Sequence, residues 1–575
     1  MSAVLTDNMS LLAGAPNGIK KLRELILELA VRGKLVPQDP SDEPASELLK
    51  RIAEEKARLV AQGKIKKQKP QPEITDEEKP FQLPTGWEWV RLDSLLKKIG
   101  AGSTPLGGKQ AYVANGVKFL RSQNVWSEGL RLNEVAFIPE ETHQKMSGTH
   151  VEAGDLLFNI TGASIGRCAA VPADFDTGNV SQHVTIIRPV SGATQPFLHT
   201  ALISQLVQQT VMDVQVGVSR EGLSIGKLAQ FLIPFPPEVE QHRIVAKVDE
   251  LMALCDRLEA RQAYAESAHA QLVQALLSSL TQASDAEDFA QSWQRLAEHF
   301  HTLFTTESSI DALEQTLLQL AVMGKLVPQD PSDEPARELC KRIDIAKQRV
   351  LIETKARKQK ELAVDALSVL PYSVPNGWEW KTLDSVLYVT GGVTLGRKLA
   401  GRKLLIKPYL RVANVQRGHL VLDQIKEVEI PEDEVEKYLL TNGDLLITEG
   451  GDWDKVGRTA IWREEISECL HQNHVFRARA VTTEWEPRWA EIYLNSVTAR
   501  EYFAGSSKQT TNLASINMAQ LRACVFPLPP LAEQHRIVAK VDQLMALCDQ
   551  LKARLNQARQ VHEQLASALV EQVVA

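Results

Sequence analysis

Residues 33–45 read Gly33-Lys34-Leu35-Val36-Pro37-Gln38-Asp39-Pro40-Ser41-Asp42-Glu43-Pro44-Ala45, and the identical stretch stands again at 324–336. A match of that length at a spacing of 291 residues does not arise by chance, so the 575-residue chain is a duplicated unit. Outward from this stretch, the same offset aligns Gly86-Trp87-Glu88-Trp89 with Gly377-Trp378-Glu379-Trp380. Further on, residues 240–249 recur at 533–542 and residues 251–256 at 544–549. The offset there is 293, so the second copy gains two residues in between.

The flanks of each unit read as helices. Ile244, Val248, Leu251, Cys255 and Leu258 alternate spacings of four and three, the seam of a coiled coil. The second copy repeats the seam as Ile537, Val541, Leu544, Cys548, Leu551 and Leu555. A continuous helix from Glu238 to Thr281 would be on the order of 65 Å long. Pro236-Pro237 and Pro529-Pro530 mark where extended chain gives way to it. Earlier, Ile19, Leu22, Ile26 and Leu29 match Ile310, Leu313, Leu317 and Leu320. Gly33 and Gly324 then stand where a helix C-terminal glycine belongs, and a new helix opens near Pro44 or Pro335. Between the helices, runs such as 117–120, 155–158 and 184–187, or 408–410, 444–447 and 474–476, predict short strands broken by Gly and Asn. The expected fold is α+β: two mixed α/β heads separated by long helices that form an antiparallel coiled coil, with an internal pseudo-two-fold repeat. Its parts are a helical region 1–81, a first head 82–236, a helical spacer 237–372, a second head 373–529 and a final helix 530–575.

Composition narrows the function classes. Charged residues at 24% and apolar residues at 44% are ordinary for a globular protein. No apolar run is long enough to span a membrane, and Met1 to Asn17 lacks a secretion signal. The six cysteines are scattered without a Cys-x-x-Cys pair, which fits a reducing cytoplasm. A net charge of −7 gives no global sign of nucleic-acid binding, so any such role must come from local features.

The two copies agree closely in their helices, but their heads share only a skeleton. It comprises Arg121 with Asn124 against Arg411 with Asn414, and Gly154-Asp155-Leu156-Leu157 against Gly443-Asp444-Leu445-Leu446. It also includes Gly166-Arg167 against Gly457-Arg458, and His183 against His474. One scaffold carrying two diverged heads suits the reading of two different things. At these residues the chain resembles a known family. Ile516-Asn517, then Pro527-Leu528-Pro529-Pro530-Leu531-Ala532-Glu533-Gln534 and a heptad helix, resemble the end of a target-recognition domain in specificity subunits of type I restriction-modification systems. So does Gly443-Asp444-Leu445-Leu446-Ile447-Thr448 followed by Gly457-Arg458. The first copy departs at Pro236-Pro237-Glu238-Val239-Glu240, and has Leu223-Ser224-Ile225-Gly226 where the second has the Ile-Asn motif.

The resemblance implies a non-catalytic subunit that reads a bipartite, asymmetric double-stranded DNA target, one half-site per head. It implies two adenine-methyltransferase subunits as partners, motor-nuclease subunits in the restriction complex, and no membrane. S-adenosylmethionine, ATP and Mg would belong to those partners, with no cofactor or metal on this chain. Two alternatives stand beside it. One is an enzyme with an unrecognised nuclease or methyltransferase site, which S-adenosylmethionine binding or DNA cleavage by the purified chain would reveal. The other is a coiled-coil scaffold without a DNA role.

Candidate DNA contacts follow from local chemistry. A basic run precedes each head, Lys64, Lys66, Lys67 and Lys69 against Lys355, Arg357, Lys358 and Lys360. The bland reading is a solvated helix end; repetition at one offset tilts it towards phosphate contacts. For base reading the diverged loops are the candidates, since Arg pairs with guanine, and Asn or Gln with adenine, through two-point hydrogen bonds. In the second head these are Arg397, Lys398, Arg402 and Lys403; Asp452, Trp453 and Lys455; and Lys508, Gln509, Thr510, Thr511 and Asn512. In the first they are Lys109 and Gln110, Thr161 and Ser164, and Ser219 and Arg220. Arg121 and Arg411 join them, and Arg167 and Arg458 either bind phosphate or brace the fold. His183 and His474 read as core histidines bonded to backbone, and Trp87, Trp89, Trp378 and Trp380 as strand-period packing. No adenine-methylation motif, phosphate loop or nuclease signature is complete. Gly100-Ala101-Gly102 alone is too weak to suggest a cofactor loop, and its Gly-x-Gly is not repeated.

Overall fold

A computed structural model describes residues 8–66, 71–216, 222–283, 286–353, 367–451, 455–510 and 513–574. The chain divides into two compact units, one of residues 1–265 with 558–575 and the other of 266–557. Each unit carries one head on a helical base.

In the first unit, helix α1 (Gly18–Val31) buries Leu22, Leu25, Ile26 and Leu29 along one face. It stops at Gly33, whose φ of +67° only glycine takes without strain; Lys34 N–H then closes onto the Leu29 carbonyl at 2.9 Å. Helix α2 (Ala45–Ala61) opens after Pro44, and the long helix α3 spans Glu238–Thr281. The second unit repeats the plan with α4 (Glu307–Val322), α5 (Ala336–Glu353) and α6 (Leu531–Val574). The seam residues Ile244, Val248, Leu251 and Cys255 are buried in one core with Leu22, Ile26 and Leu29, and Leu258 packs at its margin. Ile537, Val541, Leu544 and Cys548 likewise share a core with Ile310, Leu313, Leu317 and Leu320, with Leu551 and Leu555 at its edge. Within each unit, then, the heptad face shares one core with a short helix, α1 in the first and α4 in the second.

The identical stretch is the socket for the long helix. Gln38 Nε2 donates to the Gly33 carbonyl at 3.0 Å and to Glu240 Oε1 at 2.6 Å, while Trp87 Nε1 donates to Glu240 Oε2 at 2.9 Å. Arg243 forms a two-point pair with Asp42 at 2.5 and 3.1 Å. Gln329, Trp378, Glu533, Arg536 and Asp333 repeat each bond in the second unit. A Cβ at Gly33 would meet Pro84 Cγ at 2.5 Å, and one at Gly324 would meet Pro375 Cγ at 2.4 Å. Such a socket tolerates little change, which accounts for its identity in both copies.

Each head begins and ends on one antiparallel strand pair, Glu88–Arg91 with Leu232–Phe235 and Glu379–Thr382 with Val525–Leu528. The chain therefore enters and leaves a head at one place. Behind this pair lies an antiparallel four-stranded sheet, in order Leu96–Ala101, Val184–Pro189, Leu156–Asn159, Cys168–Ala170. Its counterpart runs Leu387–Thr390, Val475–Ala480, Leu445–Thr448, Thr459–Ile461. The repeated Gly-Asp turn anchors this sheet: fully buried Asp155 takes Arg188 Nε at 2.6 Å, and Asp444 takes Arg479 Nε at 2.7 Å. A second sheet lies beyond it and is mixed, with Val117–Leu120 parallel to Gly178–Val180 and Leu404–Leu410 parallel to Leu470–His471.

Candidate nucleic-acid interface

Four segments converge at the end of each four-stranded sheet. In the first head, Asn159 Nδ2 donates to the Ser122 carbonyl at 2.9 Å and so ties the sheet to the short hairpin 122–131. The loop 160–167 meets His183 through Thr161 Oγ1 and Nδ1 at 2.7 Å, and Leu223 N–H donates to the Ile160 carbonyl at 2.8 Å. In the second head, Gly418 N–H donates to the Thr459 carbonyl at 2.9 Å. Glu449 Oε2 meets His474 Nδ1 at 2.5 Å, and Ile516 N–H reaches the Glu449 carbonyl at 2.9 Å. There, Gly450–Gly451, Leu513–Ser515 and Lys508–Thr510 also form a small antiparallel sheet.

Both histidines are exposed at these junctions and bonded to side chains. This corrects the expectation of core histidines. They stand in the turn that precedes the inner strand, outside its hydrogen-bonded ladder. The core histidine of the second head is His471, whose Nδ1–H donates to the Val475 carbonyl at 2.7 Å. Burial, with Arg477 adding to it, pushes its pKa down to about 3, so it is held neutral.

Arg167 and Arg458 reach the same place by different chemistry. Arg167 lies over the Trp126 ring at 3.7 Å, and Arg458 donates to Gln416 Oε1; residues 126 and 416 are matched positions two past Asn124 and Asn414. Arg121 and Arg411 are half-buried and donate to the Glu134 and Gln424 carbonyls at 3.2 and 3.0 Å, bracing the hairpin base. Arg397 pairs with Glu434 at 2.8 Å, Arg402 with Asp433 at 2.7 Å and with Glu434, and Lys403 with Glu432 at 2.8 Å. The Glu432-Asp433-Glu434 run thus neutralises three of the four cations in this loop, leaving Lys398 exposed beside them. Thr161, Ser164, Arg167, Lys455 and Arg458 belong to the convergent segments.

Gln110 is exposed on the loop that leaves the inner sheet over Val180, where Ser103 N–H meets the Val180 carbonyl at 3.2 Å. Lys64 and Lys66 are exposed beyond the end of α2, where a helix C-terminus favours cations on its own account. Lys67, Lys69, Ser219, Arg220, Lys355, Arg357, Lys358, Lys360, Asp452, Trp453, Thr511 and Asn512 lie outside the described residues, as do the side chains of Lys109, Lys508, Gln509 and Thr510.

Sequence reading passed over Trp126, Arg131, Gln416 and Glu449, although 126 and 416 lie in register beside a retained asparagine. It also missed that Gly102 and Gly392 do one job. A Cβ at either would stand 2.0 or 2.1 Å from a backbone carbonyl oxygen, of Val180 or His471. Of the tryptophans, Trp87 and Trp378 are buried, and Trp89 and Trp380 donate to backbone carbonyls of Phe81 and Tyr372 at 3.3 and 3.2 Å. These contacts agree with packing. Among the described residues no group of three or more His, Cys, Asp or Glu is placed to hold a metal, and no helix is long and apolar enough to cross a membrane.

Comparison with known proteins bears on both heads. A family model for the type I restriction modification DNA specificity domain matches twice, over residues 84–266 and 375–559. The type I restriction enzyme EcoAI specificity subunit of Escherichia coli is 38% identical over 581 residues, covering 97% of this chain and 94% of its own length. The EcoEI specificity subunit of the same species is 37% identical over 578 residues, covering 96% and 93%. A solved chain from work on complex assembly and conformational transition of the type I R-M system shares the fold. Its TM-score is 0.50 at 20% identity, covering 86% of this chain and 99% of that one.

Proposed function

The chain belongs to the family of type I restriction-modification DNA specificity proteins, and from that premise we propose that its two heads each read one half of a bipartite DNA target. It is a DNA-recognition subunit with two target-recognition domains, and it works with other subunits of the restriction-modification complex rather than as the catalyst. The observation that carries the half-site reading is the doubled interface. The same four segments converge at the same end of the same sheet in both heads, yet the side chains that meet there differ: Thr161 against Glu449 at the histidine, and Trp126 against Gln416 at the arginine.

The mechanism is delegation. Each head would dock its convergent loops in a major groove, where base edges carry a distinct donor and acceptor pattern. The long helices α3 and α6 each start in one unit and end in the other. At ~1.5 Å per residue and ~3.4 Å per base pair they are long enough to set a fixed spacer of one to two DNA turns. Two methyltransferase subunits, with motor-nuclease subunits in the restriction form, would supply the chemistry along with S-adenosylmethionine, ATP and Mg, in the cytoplasm. An acidic chain then needs little DNA affinity of its own, because its partners clamp the phosphates.

The test is to map methylated adenines in the source genome before and after deletion of this gene. Loss of one bipartite, asymmetric methylation pattern is expected. An unchanged pattern would overturn the proposal.

A further inference from the structure

The hairpin of the first head holds an arrangement with no counterpart among the described residues of the second. Arg131 lies over the Trp126 ring at 3.5 Å from its centroid, and Arg167 lies over the same ring at 3.7 Å. Two guanidinium carbons that close to one centroid cannot share a face, because their groups would overlap, so they cover opposite faces. The indole is pinned in turn by Nε1, which donates to the Gln123 carbonyl at 2.8 Å. The backbones on either side are fixed too: Arg131 N–H meets the Asn124 carbonyl at 2.9 Å, and the Arg167 carbonyl takes Asn159 N–H at 2.8 Å.

Charge balance bears on this pair. Elsewhere in the head Lys118 is spent on Asp176, Arg188 on Asp155 and Glu152, and Arg91 on Glu78, while Arg121 donates to the Glu134 carbonyl. Among the described residues neither Arg131 nor Arg167 has a carboxylate or a side-chain acceptor. Two like charges held on one ring at the edge of a loop cluster repel each other unless an anion or a strong acceptor joins them. Their forks, fixed in plane by stacking, keep their donors free for two-point bonds. In the second head the place of Trp126 is taken by Gln416, which occupies Arg458, and the place of Arg131 by Val421.

We propose that Arg131 and Arg167, stacked on opposite faces of Trp126, form the DNA-contacting clamp of the first head, and that the second head reads its half-site without one. The ligand chemistry is a rigid acceptor pair, either guanine O6 with N7 or two phosphate oxygens. This inference rests on the DNA-recognition role proposed above.

The experiment uses the full chain, assembled with the subunits it co-purifies with, on duplexes carrying its mapped target and on duplexes altered at each half-site position. Arg131→Ala, Arg167→Ala and Trp126→Ala should each weaken target binding by about tenfold. Trp126→Ala removes no charge, so its effect isolates the ring's role in fixing the forks. Arg131→Lys and Arg167→Lys, which keep charge but lose the fork, should not restore binding. If the acceptors are on guanine, discrimination collapses at one or two positions of the first half-site only. If they are phosphates, all duplexes lose affinity alike and the salt dependence becomes shallower by about one unit per arginine. Binding within twofold of the parent by Arg131→Ala and by Arg167→Ala, at unchanged thermal midpoint, overturns the clamp. A parent complex with no target preference overturns the DNA-reading role itself.

Discussion

Glu240 and Glu533 are buried carboxylates, and burial holds their pKa values above the usual range even though each accepts from a tryptophan and a glutamine. Their worth lies in the donors they satisfy. Glu240→Ala strands the buried Trp87 Nε1–H and one Gln38 donor, and should destabilise the first unit by about 1–3 kcal/mol. Thermal unfolding of the variant beside Glu533→Ala should show matched losses, each in its own unit. His471 makes a pH prediction. Its folded pKa of about 3 lies below its ordinary 6.5, so the folded state favours the neutral ring. The unfolded chain therefore binds the extra proton between those values. This ring's contribution to the second unit's stability is full above about pH 6.5 and is lost progressively towards pH 3, by on the order of 5 kcal/mol. His471→Asn, which keeps a donor for the Val475 carbonyl without the titrating ring, should flatten that acid limb in pH-dependent denaturation.

The helices and strands were the readable part of this chain, because their signals are periodic. The spacing of Ile244, Val248, Leu251 and Cys255 marks a buried face whatever covers it; what it does not specify is the partner, which within the unit is α1. Leu251 is 1% exposed in that core, so Leu251→Ala should cost about 2–5 kcal/mol on urea denaturation. The candidate interface was legible only in outline. Retained residues such as Asn124 and Arg167 mark where the heads agree, and the loops between them stand out by disagreement. Pairings across loops leave no periodic trace. Nothing in the run 394–403 says that Glu432, Asp433 and Glu434, some thirty residues on, will neutralise its cations. Nothing in His183 or His474 says that each will face a side chain rather than backbone. Gly102 and Gly392 did carry a signal, but it shows only when the two copies are aligned at an offset of 290.

At the scale of the whole molecule, the duplication separates what must stay constant from what must vary. The socket around Gln38, Asp42, Glu240 and Arg243 is built twice from identical residues, whereas the loop clusters at the heads are built twice from different ones. Because each head enters and leaves through one strand pair, it can be replaced without disturbing the helices that flank it. Removing whole heptads from the exposed middles of α3 and α6 should shorten the spacer in the methylated target and leave both half-sites unchanged. Head exchange reaches the central claim most directly. Residues 82–236 would be replaced by the corresponding head of a specificity subunit with a different target, and methylated adenines mapped across the host genome. The expected result is a hybrid target in which one half-site changes while the other half-site and the spacer stay as they were; a change in both half-sites, or in neither, would contradict it.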